Sequence, residues 1–303
     1  NFDSISLNRT AGGSAKLSHD AESFRVVSIT AYSKLRSNNR LDIDGTPATF
    51  FDAGVTASSA IWTQELQVLS PVDSAIDWIV GGFFLHDRAV YIPDLVGSIF
   101  GGGRGGGKAV QVTKSFSGFA QASAEILPRT NMTIGLRYTH DNRAFDALAT
   151  LRLPSGALVN YGPFKGDKSF SSLTGRLALD YRVSDDAMVY AAYNRGFKSG
   201  VWNIAGVSVG TATLPPAVNP EELNAYSVGL KSELADRRVR LNVEAYLYDY
   251  KNIQVSTIIP GGTMLTNGGA ATMKGIDADI TVVPVQNLAL TANLAVAKGT
   301  YDR

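Results

Sequence analysis

The sequence predicts an all-β fold, an antiparallel section of a transmembrane β-barrel with about twelve strands. Three observations predict it. Apolar and polar residues alternate along the strands, most strands reach the length of about 9 to 11 residues needed to cross a bilayer, and short connectors alternate with long ones. Residues 1–303 are therefore interpreted as one partial barrel domain.

The alternation is clearest between Leu223 and Asn252, where two strands flank a tight turn at Ala235–Arg237. Side chains of successive strand residues point to opposite faces of a sheet. On the second strand the apolar face consists of Leu241, Val243, Ala245 and Leu247, and the polar face consists of Asn242, Glu244, Tyr246 and Tyr248. One sheet therefore separates an apolar environment from a polar one.

The same reading along the chain gives twelve strands. In order, they are Ser14–Asp20, Ser23–Arg36, Ser59–Ser70, Ile76–Arg88, Ser115–Leu127, Asn131–Asp141, Ser169–Val183, Ala187–Arg195, Leu223–Leu234, Arg238–Asn252, Ala271–Pro284 and Leu288–Thr300. The faces of Ile76–Arg88 are less distinct, because Phe83 and Leu85 share a face with Asp77.

Connector lengths give the predicted sheet two different ends. Tight turns join the two strands of each pair, whereas long connectors join successive pairs. The long connectors are Ser37–Ser58, Ala89–Lys114, Asn142–Lys168, Gly196–Glu222 and Ile253–Ala270. Compact soluble domains rarely carry structureless loops above about 15 residues, whereas membrane barrels have short periplasmic turns and long extracellular loops. A soluble antiparallel sheet with one wet face is the weaker alternative.

Charge decides which face points inward. A basic residue facing lipid at the bilayer midplane costs about 2 to 4 kcal/mol, and an acidic one costs somewhat less. The charged face must therefore line the lumen. The lumen-facing residues predicted in this way are Arg137, Arg176, Asp180, Lys231, Glu244 and Asp277.

Composition excludes several classes of function. The formal net charge is only +1, which gives no electrostatic footprint for nucleic acid. There is no cysteine, and the three histidines lie far apart without metal-ligand spacing, so no metal site and no cofactor are predicted. The Gly101–Lys108 stretch is followed by Ala109 rather than Ser or Thr, which favours a flexible extracellular loop over a phosphate cradle.

The direction of the strands predicts that both ends of the chain lie on the loop side. Complete bacterial barrels normally begin and end on the turn side, so the sequence is interpreted as an interior section of a larger barrel. Unpaired edge strands in lipid would otherwise leave backbone groups unsatisfied.

Nine segments carry a resemblance to a known family. They are Ser28–Tyr32, Thr63–Leu66, Trp78–Phe84, Gly135–Tyr138, Leu177–Tyr181, Tyr190–Asn203, Asn219–Lys231, Ala245–Gln254 and Asn267–Asp279. The nine segments occur in the order of the family, and each lies at a strand or a loop end. Together they resemble the β-barrel of TonB-dependent outer-membrane receptors over nearly the whole chain. The resemblance implies a barrel of about 22 strands embedded in outer-membrane lipid.

The resemblance also implies a function, which is uptake of a scarce nutrient such as a ferric siderophore or a similar chelate, without covalent chemistry. Energy would come from the TonB complex through an N-terminal plug domain. The plug, the first strands and the terminal strand are absent from this sequence, and the lumen charges named above are expected to pair across the wall or to contact that plug.

Ligand-binding candidates lie near the loop end. Arg195, Lys198, Trp202 and Asn203 combine positive charge with an aromatic surface, which suits an anionic or aromatic chelate. The alternative is that these four residues only order the loop. Tyr246 and Tyr248 lie on the Glu244 face and are expected to line the lumen mouth or to contact the wall or plug.

Three alternatives stay open at this point. A passive 12-stranded outer-membrane pore predicts that Ser14–Asp20 pairs with Leu288–Thr300. A surface-binding barrel would use the long loops to hold a partner. An esterase-like enzyme lacks a convincing Ser, His and acid set, because no histidine lies at a clearly lumen-facing strand centre, so the sequence is predicted not to encode an enzyme.

Overall fold

The computed structural model describes residues 4–42, 45, 51–97, 101–203, 216–259 and 262–302. Within these residues no helix is long and apolar enough to span a membrane. The fourteen strands are β1 (Ile5–Asp20), β2 (Arg25–Asp42), β3 (Asp52–Leu69), β4 (Ile76–Val96), β5 (Arg104–Leu127), β6 (Thr130–Arg152), β7 (Leu158–Ser184), β8 (Ala187–Lys198), β9 (Glu221–Leu234), β10 (Val239–Lys251), β11 (Gln254–Ile259), β12 (Gly262–Asn267), β13 (Ala270–Val285) and β14 (Leu288–Asp302).

Twelve of these strands form one antiparallel sheet in chain order, and β11 and β12 form a separate hairpin. Consecutive strands of the large sheet are paired, with β10 next to β13 because the β11–β12 hairpin lies between them in the chain, and this order is that of a barrel wall. The predicted all-β barrel section is confirmed. Among the described residues, β1 pairs only with β2 and β14 pairs only with β13, so this part of the chain lacks the β1–β14 closure that a passive 12-stranded pore requires.

The predicted tight turns are all present at one end of the sheet. The turn between β9 and β10 places Ala235, Asp236 and Arg237 at φ values of 54°, 53° and 64°. Left-handed residues of this kind reverse the chain within a few residues. Asn287 has φ 69° in the turn between β13 and β14, where Asn tolerates this conformation better than most residues.

Two of the predicted long loops, Ala89–Lys114 and Asn142–Lys168, are largely strand, which corrects the sequence prediction. β4 and β5 continue until only residues 97–103 separate them, and β6 and β7 are separated only by residues 153–157. The Gly101–Lys108 stretch, predicted to be a flexible loop, enters β5 at Arg104, where Arg104 forms an ion pair with Asp94 of β4. Backbone pairing continues through these extensions, but apolar residues occur on both of their faces, so sequence alternation did not reveal them.

The two faces of the sheet differ as predicted. Cross-strand partners point to the same side, so the register assigns every strand residue to a face. Ile134, Leu136 and Tyr138 face the same side as Leu177, Gly175 and Leu173. Leu136 is 57% exposed and Leu173 is 55% exposed, which leaves an apolar outer surface suited to lipid. We call this side the outer face.

The opposite side is the inner face, and it carries all six predicted lumen residues. Arg137 lies opposite Thr174, Asp180 opposite Tyr190, Lys231 opposite Asn242, and Glu244 opposite Asp277. Arg176 is directly opposite Asn194 on the same face. Phe83 and Leu85 also point inward with Asp77, which explains the indistinct pattern of β4.

Glycines on the inner face make room for aromatic rings. Phe119 lies directly opposite Gly81, Tyr190 opposite Gly229, and Tyr246 opposite Gly275. A Cβ atom at Gly229 would approach the Cζ atom of Tyr190 to 2.5 Å, and one at Gly275 would approach that of Tyr246 to 2.6 Å. The rings cover glycine backbone that would otherwise face the lumen.

Candidate functional site

The loop end of the inner face holds an aromatic cluster built by the strand extensions. Phe145, Ala147 and Ala149 of β6 pack with Ala109 of β5 and Phe164 of β7. Tyr91, Tyr161 and Trp202 pack against this core. We call Tyr91, Gln111, Arg143, Phe145, Phe164 and Trp202 the vestibule wall.

Trp202 reaches this wall from the connection between β8 and β9. Its ring stacks on Phe145 with centroids 5.9 Å apart and an interplanar angle of 22°. Its Nε1 donates a hydrogen bond to the carbonyl oxygen of Arg143 at 2.9 Å, and its backbone nitrogen donates to Oε1 of Gln111 at 3.2 Å. Trp202 therefore lies against the inner face of the wall.

Arg143 is the charged group of the vestibule wall. Its Nη1 donates a hydrogen bond to Thr113 Oγ1 at 3.3 Å, whereas its buried Nε has no hydrogen-bond partner among the described residues. Burial lowers the pKa of the Arg143 guanidinium, and the charges of Asp141 and Asp87 partly oppose that shift. The Oδ1 atom of Asp141 is also buried without a described partner.

Arg143 and Asp141 occupy successive inner-face positions of β6, and a buried polar group without a partner costs free energy. Arg143 as a residue is only half-buried, so its guanidinium supplies N–H donors beside the aromatic rings. This arrangement suits an organic ligand that carries an anionic or carbonyl oxygen and a planar apolar part.

Burial also raises the pKa of the Tyr91 hydroxyl, which keeps it protonated over the physiological range. A protonated phenol can both donate and accept a hydrogen bond. Tyr91 therefore adds a neutral polar group to the vestibule wall.

Asn203 has a structural position next to Trp202. It is only 7% exposed, and its Nδ2 donates to the carbonyl oxygens of Pro216 and Leu265 at 3.2 Å and 3.0 Å. Its Oδ1 accepts from the backbone nitrogen of Leu265 at 2.7 Å. Asn203 thus joins the β8–β9 connection to the β11–β12 hairpin.

The other predicted ligand residues lie apart from the vestibule wall. Arg195 points to the outer face, where its Nη2 contacts Glu222 Oε2 at 2.9 Å. Lys198 ends β8 on the inner face and is exposed. Tyr246 and Tyr248 stack on each other at 4.7 Å on the inner face of β10. The fold therefore brings only Trp202 of the six into the aromatic cluster.

A second inner-face group lies nearer the turn end, and we call it the acidic wall. Glu244 and Asp277 are direct cross-strand partners, and Asp279 lies on the same face. The Tyr190 hydroxyl donates to Glu244, Asn242 Nδ2 donates to Asp279 Oδ1 at 3.0 Å, and Lys231 lies 5.5 Å from the Tyr190 ring centroid. Like charges directly opposite each other destabilise a sheet unless a cation compensates them.

Sequence reasoning missed most of the vestibule wall. Tyr91, Gln111, Phe145 and Phe164 all lie within stretches predicted to be loops. The sequence did contain a signal for this strand extension, because Arg143, Phe145, Ala147 and Ala149 occupy alternate positions of β6. The intervening positions include the apolar residues Ala144 and Leu148 as well as Asp146, so the alternation is not strict.

Comparisons with known proteins agree with this architecture. Residues 2–302 match the family described as TonB dependent receptor-like, beta-barrel. A pesticin receptor of Yersinia enterocolitica is 24% identical over 168 residues, which cover 55% of this chain and 23% of that protein.

Solved structures show the same fold. The ferric yersiniabactin uptake receptor FyuA from Yersinia pestis superposes with a TM-score of 0.82 at 16% identity, covering 99% of this chain and 44% of that one. The copper transporter OprC gives a TM-score of 0.72 at 13% identity, covering 96% and 46%. This chain thus spans less than half the length of these proteins. It belongs to the TonB-dependent receptor β-barrel family and is a protein of the bacterial outer membrane.

Proposed function

We propose that this barrel is part of a receptor that takes up a ferric siderophore or similar metal chelate across the outer membrane. The observation that carries the proposal is the vestibule wall, where Trp202, Phe145 and Arg143 meet inside the loop end of the lumen. Aromatic rings bind planar ligand groups by stacking, and a guanidinium binds carboxylate or catecholate oxygens by charge-assisted hydrogen bonds.

The family and the relatives support this substrate class. FyuA is a ferric yersiniabactin uptake receptor, and the family to which the chain belongs consists of TonB-dependent receptors. OprC is a copper transporter, so the same fold also carries other cargo. The polar groups of the vestibule wall are those of Arg, Gln and Tyr, which suit the organic part of a chelate better than a bare ion.

Transport assays test this proposal. A strain lacking the gene is complemented with the receptor, expressed from its complete reading frame, and supplied under iron limitation with radiolabelled iron bound to a panel of chelates. We expect TonB-dependent uptake of at least one ferric chelate. Uptake of free copper instead, or chelate binding without any uptake, would contradict the proposal, and the second result would favour the surface-binding barrel.

Trp202 gives the sharpest variant for that assay. Trp202→Ala removes the stacking surface and is expected to weaken chelate binding about tenfold or more, as loss of an aromatic anchor does at other interfaces. Trp202→Phe keeps a ring over Phe145 and is expected to retain most of the affinity. Equal affinities for the two variants would remove Trp202 from the binding site.

The acidic wall supports a plug domain as the second partner, through which TonB would act. Glu244 and Asp277 face the lumen as a like-charge pair, so cationic side chains of a plug seated there would be stabilised. The test is a Glu244→Gln and Asp277→Asn double variant of the whole receptor. We expect the plug to unfold at a lower urea concentration while the barrel midpoint is unchanged, and an unchanged plug midpoint would contradict this role.

A further inference from the structure

Four charged side chains lie together on the inner face, at the turn-side edge of the vestibule wall. Cross-strand pairing places Asp87 of β4 in one row with Arg143 of β6 and Lys168 of β7. Asp141 lies in the next row towards the turn end, opposite Phe170 of β7. The charges of Asp141 and Asp87 both act on the Arg143 guanidinium, so these groups are close in space. We call Asp87, Asp141, Arg143 and Lys168 the charge cluster.

The charge cluster contains two anions and two cations that do not pair with one another. No ion pair among the described residues includes any of the four. Asp87 accepts a hydrogen bond from the Ser59 hydroxyl at 2.7 Å. The described contacts of Lys168 are also to neutral groups, with its Nζ 3.5 Å from Asn219 Oδ1 and 5.2 Å from the Phe170 ring centroid. Both signs of charge are therefore still available to a ligand.

Asp141 is the member of the cluster that most needs a partner. It is only 5% exposed, and its Oδ1 is buried without a hydrogen-bond partner among the described residues. Buried carboxylates are normally paired or hydrogen-bonded, because an unpaired one costs several kcal/mol or shifts to its neutral form. A cationic donor placed at this oxygen would remove that cost.

Arg143 supplies the complementary half of the site. One hydrogen bond from its guanidinium is described, from Nη1 to Thr113 Oγ1, so further N–H donors remain. Lys168 is its direct cross-strand partner, and two adjacent cations repel unless an anion compensates them. A carboxylate bound by both cations would provide that compensation, with the planar guanidinium fork matched to its two oxygens.

From this arrangement we infer that the charge cluster binds an α-amino acid group of the cargo, with its ammonium on Asp141 and its carboxylate on Arg143 and Lys168. The inference rests on the proposed uptake of a metal chelate and narrows the cargo to chelates that carry such a group. Two carboxylates and two cations have no net charge, and a zwitterion keeps that balance. The site is continuous with the vestibule wall, because Trp202 Nε1 donates to the carbonyl oxygen of Arg143.

Matched chelates test the inference. The receptor, expressed from its complete reading frame and purified in detergent, is titrated by calorimetry with ferric trihydroxamate and ferric tricatecholate chelates. Each chelate carries one lysine linked through its side chain, with the α-amino and α-carboxylate groups free, with the amine acetylated, or with the carboxylate amidated. We expect the zwitterionic form to bind about tenfold or more tightly than either blocked form, the usual effect of losing a hydrogen bond to a charged group.

Two variants separate the two halves of the site. Asp141→Asn is expected to weaken binding of the forms with a free amine about tenfold and to leave the acetylated form within about twofold. Lys168→Gln is expected to weaken the forms with a free carboxylate and to spare the amidated form. Asp77→Asn is the matched control, because it removes an inner-face carboxylate near the turn end, and no form should change by more than about twofold.

The outcomes distinguish this inference from the proposed function. If no ferric chelate binds or is taken up, both fail. If chelates bind but the free and blocked forms have equal affinities, only the amino acid site is overturned. An equal loss for all three forms in Asp141→Asn, with a lower urea midpoint of the plug, would also overturn it and would assign Asp141 to a contact with the plug.

Discussion

Arg137 illustrates how the inner face accommodates a charged side chain. Its guanidinium carbon lies 5.4 Å from the Phe83 ring centroid and 5.3 Å from that of Phe119, and its Nη2 donates to Ser117. Arg176 lies on the same face, is exposed and has no partner of this kind among the described residues. Two arginines that look alike in the sequence therefore contribute differently to stability.

This difference predicts unequal effects on stability. Arg137→Gln removes two cation–π contacts and is expected to lower the free energy of unfolding by about 1 to 2 kcal/mol. Arg176→Gln is expected to change it by less than about 0.5 kcal/mol, as exposed substitutions usually do. Urea unfolding of the barrel in detergent micelles measures both values, and equal losses would contradict the proposed role of the aromatic rings.

Gly275 offers a second test of stability, because the Tyr246 ring lies over this glycine. Gly275→Ala places a Cβ atom 2.6 Å from Tyr246 Cζ and from the Val296 carbonyl oxygen, so the ring must move. We expect a loss of about 1 to 3 kcal/mol, the range for overpacked sites. Gly118→Ala is the control, since its Cβ has no atom within 4 Å, and the same urea experiment should find it nearly neutral.

The β11–β12 hairpin depends on side chains from distant segments. An isolated two-stranded hairpin is marginally stable in water. Here Asn203 binds the backbone of Leu265, Gln254 Nε2 donates to the carbonyl oxygens of Ser199 and Asn219 at 3.0 Å each, and Asn267 binds Asn219. These side-chain amides join the hairpin to the segment between β8 and β9 that carries Trp202.

Removing one such amide should release the hairpin locally. Asn203→Ala deletes three hydrogen bonds, each contributing about 0.5 to 1.5 kcal/mol, so the Leu265 amide is expected to exchange at least tenfold faster. Hydrogen exchange followed by mass spectrometry measures this effect. Amides of β6 should be unaffected, and Ser256→Ala on the exposed hairpin surface serves as the control. Unchanged exchange at Leu265 would show that other contacts hold the hairpin.

The membrane-spanning parts of the strands were predictable because lipid imposes a strict pattern. Apolar residues must occupy nearly every second position there, and the β9–β10 pair shows this pattern with one exception, Ser232 opposite Leu241. Beyond the membrane both faces of a strand meet water or protein, so the pattern weakens. The extension of β6 from Asn142 to Arg152 was missed for this reason, although its backbone pairing is continuous with the rest of the strand.

The vestibule wall could not be predicted for a related reason. Trp202 and Gln111 form a hydrogen bond although they are 91 residues apart, and no local pattern reports such a contact. Loop composition identified Trp202 as a candidate but also selected Arg195, whose outward direction depends on the register between β7 and β8. Residue type alone did not distinguish an inner from an outer position at the end of a strand.

The barrel wall as a whole separates two solvents, and neighbouring residues of β14 test this separation. Leu294 lies on the outer face opposite Ala278, and Asn293 lies on the inner face opposite Asp279. Leu294→Arg is expected to lower stability in lipid vesicles by about 2 to 4 kcal/mol, whereas Asn293→Arg faces water and should cost far less.

Both variants add the same charge to adjacent positions, so only the direction of the side chain differs. The experiment compares urea-induced unfolding of the whole receptor in vesicles and in detergent. The penalty of Leu294→Arg should shrink in detergent, because a micelle lets the guanidinium reach water more easily than a bilayer does. A similar loss for the two variants in vesicles would mean that Leu294 does not face hydrocarbon, and the assignment of outer and inner faces would have to be reversed or abandoned.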